Sequence, residues 1–471
     1  MRHRVWLSAL GVGFLLAMAF GAGFYLRVIA EQKGLLAEVD ELRIELRKAK
    51  DRSAKNGNLF VSGLAGSATD ATESGSPDNR KNFYLEANRR FIFVDLKAMT
   101  ITLYREDGAS TTLPILTKGR DGSWWETPSG NYSVMLKQQN HFSSIGKVWM
   151  PWSIQFYGNF FIHGWPYYEG GEPVPQSFSG GCIRLSTEDA KTVYDFAEKD
   201  MPLIVDDSEV EFAAVPVPLE LKKNVAVPNV SAKAFVVTDL TGKDVLLERT
   251  GDEVLPVASL TKLMTAVVAS ELIYLERAIT IKSSMLTASI QSYGFTPGEK
   301  YAAFDLLYPL LMQSSNGAAS ALAAFTGEAE FVRAMNSKAQ SLGMEETKFV
   351  DPAGLGEGNI SSARDLTRLA RYILSKRNFI LSISKGENYL RFGPLKLGAI
   401  KNFNEFASDS RLIGMKNGDT EAARQTMLTI WELAGGGGDK RTVSVVVLGS
   451  ENRVADTEAL LGWIDGAYGF K

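Results

Sequence analysis

Two short stretches of this chain hold residues able to do nucleophilic chemistry. The first is Ser179-Gly180-Gly181-Cys182-Ile183-Arg184-Leu185, which carries the single cysteine of 471 residues. Glycines before a thiol let backbone N–H groups come close to a reacting carbonyl, and an imidazole elsewhere in the chain can take the thiol proton. Three histidines exist, His3, His141 and His163. His3 stands at the N-terminal tip, and His141 lies in a polar stretch, Lys137-Gln138-Gln139-Asn140-His141. His163 follows Phe160-Phe161-Ile162, an apolar run that reads as a buried strand holding the imidazole in a fixed place. On the residues alone, Cys182 as a small buried hydrophobe stays an open reading.

The second stretch is Ser259-Leu260-Thr261-Lys262, at the start of an apolar helical run. A serine and a lysine three apart share one helix face, so the amine can reach the hydroxyl. The serine also sits at the positive end of the helix dipole, which favours developing negative charge. A lysine kept neutral by burial can act as its base. The alternative is a helix cap followed by a solvated lysine. Two later groups, Ser314-Ser315-Asn316 after an apolar helix and Lys416-Asn417-Gly418 in a strand-like stretch, extend the set.

The elements that position these residues change character along the chain. Phe91-Ile92-Phe93-Val94, Met99 to Tyr104 and Tyr132 to Met135 read as strands separated by turns, giving a mainly-β domain. Ser186 to Lys199 has a capped start and helical spacing. Farther on, strands at Ala234 to Val237 and Val443 to Leu448 bracket long helical segments, an α/β arrangement. The aromatic clusters Trp124-Trp125, Trp149 to Trp152 and Trp165 to Tyr168 suit either core packing or a sugar-facing cleft, and packing is the reading we favour.

His163-Gly164, the Ser179-to-Leu185 stretch and Thr127-Pro128-Ser129-Gly130-Asn131-Tyr132 together resemble the L,D-transpeptidase catalytic domain, over about Arg89 to Asp206. That resemblance implies Cys182 as nucleophile, His163 as base, Gly181 beside the reacting carbonyl, and Arg184 either positioning a substrate carboxylate or tying down the loop. Gly180 stands where many members carry histidine. Ser-x-x-Lys, Ser-x-Asn and Lys-[Thr/Ser]-Gly in order resemble the penicillin-recognising serine enzymes. The text around Ser259, Phe349 to Leu355 and Ser362 to Leu366 is similar to the D-alanyl-D-alanine carboxypeptidases, the low-molecular-mass penicillin-binding proteins. By this resemblance Ser259 forms an acyl ester and Lys262 accepts its proton. Ser314 relays a proton, Asn316 binds substrate peptide, and Lys416, with Asn417 and Gly418, captures a carboxylate. The N–H groups of Ser259 and Asp419 would form the oxyanion hole. Asn417 departs from the usual Thr or Ser, and Asp419 adds negative charge, which leans the reading toward cross-link cleavage or reduced activity.

Length and 45% hydrophobic content predict two or three domains. A net charge of −3 gives no reason to expect a nucleic-acid partner. One cysteine excludes an internal disulfide, and scarce histidine leaves no metal-ligand cluster, so no cofactor is expected. Met1-Arg2-His3-Arg4 precedes an uncharged apolar run from Val5 to Leu26, long enough to span a bilayer. A signal peptide cleaved after Ala17-Met18-Ala19 is the alternative.

The expected fold class is therefore multi-domain. A transmembrane anchor (1–27), a stalk helix (28–50) and a flexible linker (51–85) precede a mainly-β L,D-transpeptidase-like domain (86–207). A connector (208–230) then leads to an α/β penicillin-binding-protein-like, or serine β-lactamase-like, domain (231–471). The resemblances imply peptidoglycan stem peptides as substrates, β-lactams as covalent inhibitors, and catalytic domains held outside the cytoplasm at the inner membrane. Rival readings are a tethered peptidoglycan-binding protein with one or both heads inactive, and a β-lactamase.

Overall fold

Alternation of buried and exposed side chains builds two separate sheets in the first domain of the computed structural model. The described residues are 60–61, 77–175, 179–207, 221, 225–286, 295–387, 400–434 and 440–469. The expected anchor at 1–27 and stalk at 28–50 lie outside them, as does most of the linker. Among the described residues no helix is long and apolar enough to cross a membrane.

A five-stranded sheet runs in the order Ser110–Pro114, Thr100–Tyr104, Phe91–Asp95, Pro202–Asp206, Gly130–Ser133. A four-stranded sheet runs Leu136–Ser143, Val148–Tyr157, Phe160–His163, Ile183–Arg184. Ile92, Val94, Ile101 and Leu103 from the first sheet meet Ile154, Phe156, Ile162 and Ile183 from the second in one core. The helix Thr187–Phe196 closes this core with Ala190 and Val193, its Ser186 cap accepting from the Asp189 N–H. Pro77–Glu86 is helical, although its composition suits the end of a flexible linker. Tyr84 explains the difference, since its ring packs against Phe91 at 5.5 Å between centroids.

The second domain is built on an antiparallel sheet ordered Phe60–Val61, Asp244–Arg249, Ala234–Asp239, Lys440–Ser450, Arg424–Ala434, Leu412–Thr420. Its strands have two buried faces. Ala234, Val236, Val446 and Leu448 face a large helical layer, whereas Phe235, Val237, Val445 and Val447 face Leu460, Trp463 and Ile464 of the C-terminal helix Arg453–Tyr468.

Residues 60–471 nonetheless form one compact unit rather than two heads on a string. Trp124 of the first domain is buried in the helical core of the second, edge-on to Tyr274 at 5.1 Å. Around it lies a buried polar joint. Lys376 pairs with Glu126 at 2.7 Å and also with Asp207. Arg377 donates to the Glu126 carbonyl at 3.1 Å and pairs with Glu271 at 3.0 Å. Lys338 pairs with Glu271 at 3.2 Å and donates to the Tyr132 hydroxyl at 3.1 Å. Gly158 takes a positive φ of 45° here, and a Cβ on it would fall 2.5 Å from the Leu272 side chain, so the close approach needs glycine.

Candidate active sites

The cysteine site is assembled at the edge of the four-stranded sheet. Phe160–His163 is buried throughout and pairs in parallel with Ile183–Arg184, Ile162 opposite Ile183 and His163 opposite Arg184. Ile162 and Ile183 both enter the core. Alternation therefore puts the side chains of His163 and Cys182 together on the other face. The imidazole Nδ1 lies 2.6 Å from the Gly164 carbonyl. A carbonyl only accepts, so Nδ1 carries the proton and Nε2 keeps its lone pair. Burial brings the His163 pKa down to about 4, so the ring is neutral near pH 7.

The half-buried thiol donates to the Asn159 carbonyl at 3.6 Å, and burial raises its pKa to about 11. The resting site thus holds a neutral thiol on the same sheet face as a neutral base. We expect iodoacetamide to modify Cys182 about tenfold faster per pH unit up to about pH 10, because only the thiolate reacts. A rate already flat from about pH 6 would instead show a resting thiolate–imidazolium pair.

The loop before the thiol is held from several directions. Gly181 has φ +106°, and a Cβ on it would meet the Phe160 ring at 2.3 Å. Thr127, fully buried, donates to the Gly181 carbonyl at 2.8 Å and accepts from the Gly119 N–H at 2.9 Å. The Ser179 hydroxyl bonds the Cys182 carbonyl and accepts from the Gly181 N–H. At Gly180, by contrast, a Cβ would meet nothing within 4 Å, so the residue that replaces histidine leaves open space. Arg184 lies beside the Trp165 ring, 5.7 Å from its centroid.

The serine site forms where the turn Ala258–Leu260 feeds the helix Thr261–Leu272. Lys262 Nζ donates to Ser259 Oγ at 2.8 Å and to the Ala353 carbonyl at 2.5 Å. Asp351 organises the loop that presents this carbonyl, accepting from the N–H groups of Ala353, Gly354 and Gly356. Gly354 (φ +81°) passes so close to the Ala258 carbonyl that no Cβ fits. Lys262 is fully buried, and burial, aided by the positive charge of Lys416, holds its amine well below the ordinary lysine range. Burial likewise lowers Lys416 to about 7. Gly418 brings the strand Leu412–Thr420 against the nucleophile, since a Cβ on it would lie 2.8 Å from the Ser259 nitrogen.

Ser314 is half-buried with φ +57°, between the helices Ala303–Met312 and Asn316–Ala323. Ser315 caps the second of these, and Asn316 is its first residue. The Asn417 amide is committed: its oxygen accepts from Lys416 at 3.0 Å and its nitrogen donates to Glu405 at 2.6 Å. Arg453 binds Glu405 at 2.7 Å and lies 3.5 Å from Asp419, so the negative charge there is faced by a guanidinium. Sequence reasoning missed Glu405 and Arg453, which lie 12 and 36 positions from Asn417 and carry no local motif.

Comparison with known proteins adds two family matches. A sequence model of the D-alanyl-D-alanine carboxypeptidases matches residues 221–452, and one of the L,D-transpeptidase catalytic domain matches residues 89–205. The chain is 43% identical over 143 residues to a D-alanyl-D-alanine endopeptidase of Pseudomonas aeruginosa, covering 30% of this chain and 46% of that protein. It is 36% identical over 190 residues to one of Haemophilus influenzae, covering 38% and 62%. With one of Escherichia coli it shares 30% identity over 250 residues, covering 50% and 78%. The chain therefore spans about half the length of the first of these relatives and under two thirds of the second.

Proposed function

We propose, because this chain belongs to the D-alanyl-D-alanine carboxypeptidase family and also carries an L,D-transpeptidase catalytic domain, that it is a bifunctional peptidoglycan-remodelling enzyme. In the serine domain, neutral Lys262 takes the Ser259 proton as Oγ attacks the carbonyl of a D-Ala-D-Ala or D,D cross-link bond. An acyl ester forms, Ser314 passes a proton to the leaving amine, and water releases the acyl group. Lys416 draws in the substrate carboxylate, and Asn316 and Gly418 hold the peptide. The carrying observation is the 2.8 Å contact between a buried, deprotonation-prone lysine and Ser259. Commitment of the Asn417 amide to Glu405 removes a donor from carboxylate capture. That favours cross-link cleavage over trimming of free D-alanine ends.

In the cysteine domain, His163 Nε2 takes the thiol proton as Sγ attacks the L,D bond of a tetrapeptide stem, and D-alanine leaves. An amine then takes the acyl group. A span over Val5 to Leu26 would hold both sites on the outer face of the cytoplasmic membrane.

Intact mass after brief exposure to benzylpenicillin tests the serine half: one adduct is expected, absent in Ser259→Ala. Release of D-alanine from a tetrapeptide, absent in Cys182→Ala, tests the other. Neither signal in the parent protein would make the chain a peptidoglycan-binding module. Rapid loss of the penicillin adduct would make the serine domain a β-lactamase.

A further inference from the structure

A cleft of about 460 Å³ runs between the two domains and opens beside the cysteine site. Gly180 and Asn159 of the cysteine domain line one side with Trp125, and Tyr274 and Glu276 of the serine domain line the other. Asn159 fastens the two walls together. Its main-chain carbonyl receives the Cys182 thiol at 3.6 Å, while its side-chain amide donates to the Leu272 carbonyl at 2.8 Å. Tyr274 leaves 38% of its surface exposed, yet its ring packs edge-on against buried Trp124, and burial with the nearby Glu276 raises its hydroxyl's pKa. A large, rigid, exposed aromatic beside a nucleophile is shaped for a ligand.

We propose that this cleft receives the amine-bearing acceptor peptide of acyl transfer at Cys182, so that the serine domain supplies the acceptor wall through Tyr274 and Glu276. The inference rests on reading Cys182 as the L,D-acyl-transfer nucleophile. Three features select a cationic peptide. Acidic Glu276 lines the cleft. Glu271 deeper in the wall is neutralised by Lys338 and Arg377, so it does not compete for the ligand. The helix Thr261–Leu272 also ends here, turning the negative end of its dipole toward the cleft. Gly180, two residues before the thiol, lines the cleft with no side chain, and a Cβ there would meet nothing within 4 Å.

In the transfer step the acceptor nitrogen attacks the thioester carbon joined to Sγ. The new C–N bond forms as the C–S bond breaks. The proton lost by the amine passes to His163 and then to the departing Cys182 thiolate, restoring the starting pair.

The test uses the full chain in a Ser259→Ala background, so that the serine site consumes neither peptide. Transfer from a tetrapeptide donor to a stem peptide carrying a free amine is followed by mass spectrometry. For Tyr274→Ala we expect the acceptor KM to rise about tenfold, and for Glu276→Gln about threefold, with the hydrolysed share of product increasing and the donor KM moving far less. Glu276 is exposed, so its conservative variant keeps the test valid should Tyr274→Ala melt early. An acceptor KM within about twofold of the parent for both variants would overturn the acceptor-wall assignment. Absence of D-alanine release in the parent would overturn the underlying reading of Cys182 instead.

Discussion

Lys262→Met is expected to lower the rate at which benzylpenicillin acylates Ser259 by about a thousandfold, the scale that follows when a positioned general base is removed. The amine is fully buried, is 2.8 Å from Ser259 Oγ and is depressed by burial and by Lys416. Its neutral form is therefore populated at lower pH than for a solvated lysine. Methionine fills the same volume without a base, and it removes a desolvated amine, so the thermal transition stays within a few degrees of the parent. In the parent the two lysines oppose each other across the pH scale. In the proposed mechanism Lys262 is neutral when it accepts the serine proton, and that form is lost as pH falls. Lys416 is charged there when it attracts the carboxylate, and with a pKa of about 7 it loses that charge as pH rises. The acylation rate should thus pass through a maximum and decline above about pH 7. Lys416→Arg, which stays protonated, should abolish the alkaline decline. An unchanged alkaline limb in that variant would show that another group sets it, and acylation undiminished in Lys262→Met would remove the lysine from the chemistry.

Much of each candidate site was legible because its chemistry rides on regular local elements. Ser259 and Lys262 are three residues apart where a turn becomes a helix, and that spacing alone dictates their approach. Phe160 to Ile162 announced a buried strand through three apolar residues running straight into His163. The partners that tune these groups come from far away in the chain. Asn417 looked like a weakened carboxylate clamp, and only the fold supplies Glu405 to occupy its amide. Trp124 and Trp125 suited packing, as expected, but nothing in their spacing said that Trp124 would be buried in the other domain. The joint itself was invisible for the same reason. Glu126 and Lys376 are 250 positions apart and Tyr132 and Lys338 are 206 apart, and no periodic pattern links such pairs. The chain read as two heads on a tether because flexible, proline-bearing segments are easily seen and buried ion pairs between distant segments are not.

That joint yields the largest expected effect on stability. Glu271 is the anion at its centre, fully buried in its side chain, paired with Lys338 and Arg377 and bonded by the Tyr372 hydroxyl. Glu271→Ala leaves two buried cations with no carboxylate between them. Lys338 can shed its proton, since burial already lowers it to about 8, but Arg377 cannot. We therefore expect a loss of about 3–5 kcal/mol in unfolding free energy, most of it owed to Arg377. Adding Arg377→Met should recover at least about 1 kcal/mol of that loss, because the stranded charge is then gone. The damage should also reach the cysteine site. Arg377 holds the carbonyl of Glu126, whose neighbour Thr127 clamps Gly181 beside the thiol. D-alanine release at Cys182 should fall in Glu271→Ala even though no atom of Glu271 belongs to that chemistry. A Glu271→Ala protein that unfolds within about 1 kcal/mol of the parent would mean that water or relaxation already compensates these charges. The joint would then be a contact between two independently stable domains rather than the element that fuses them.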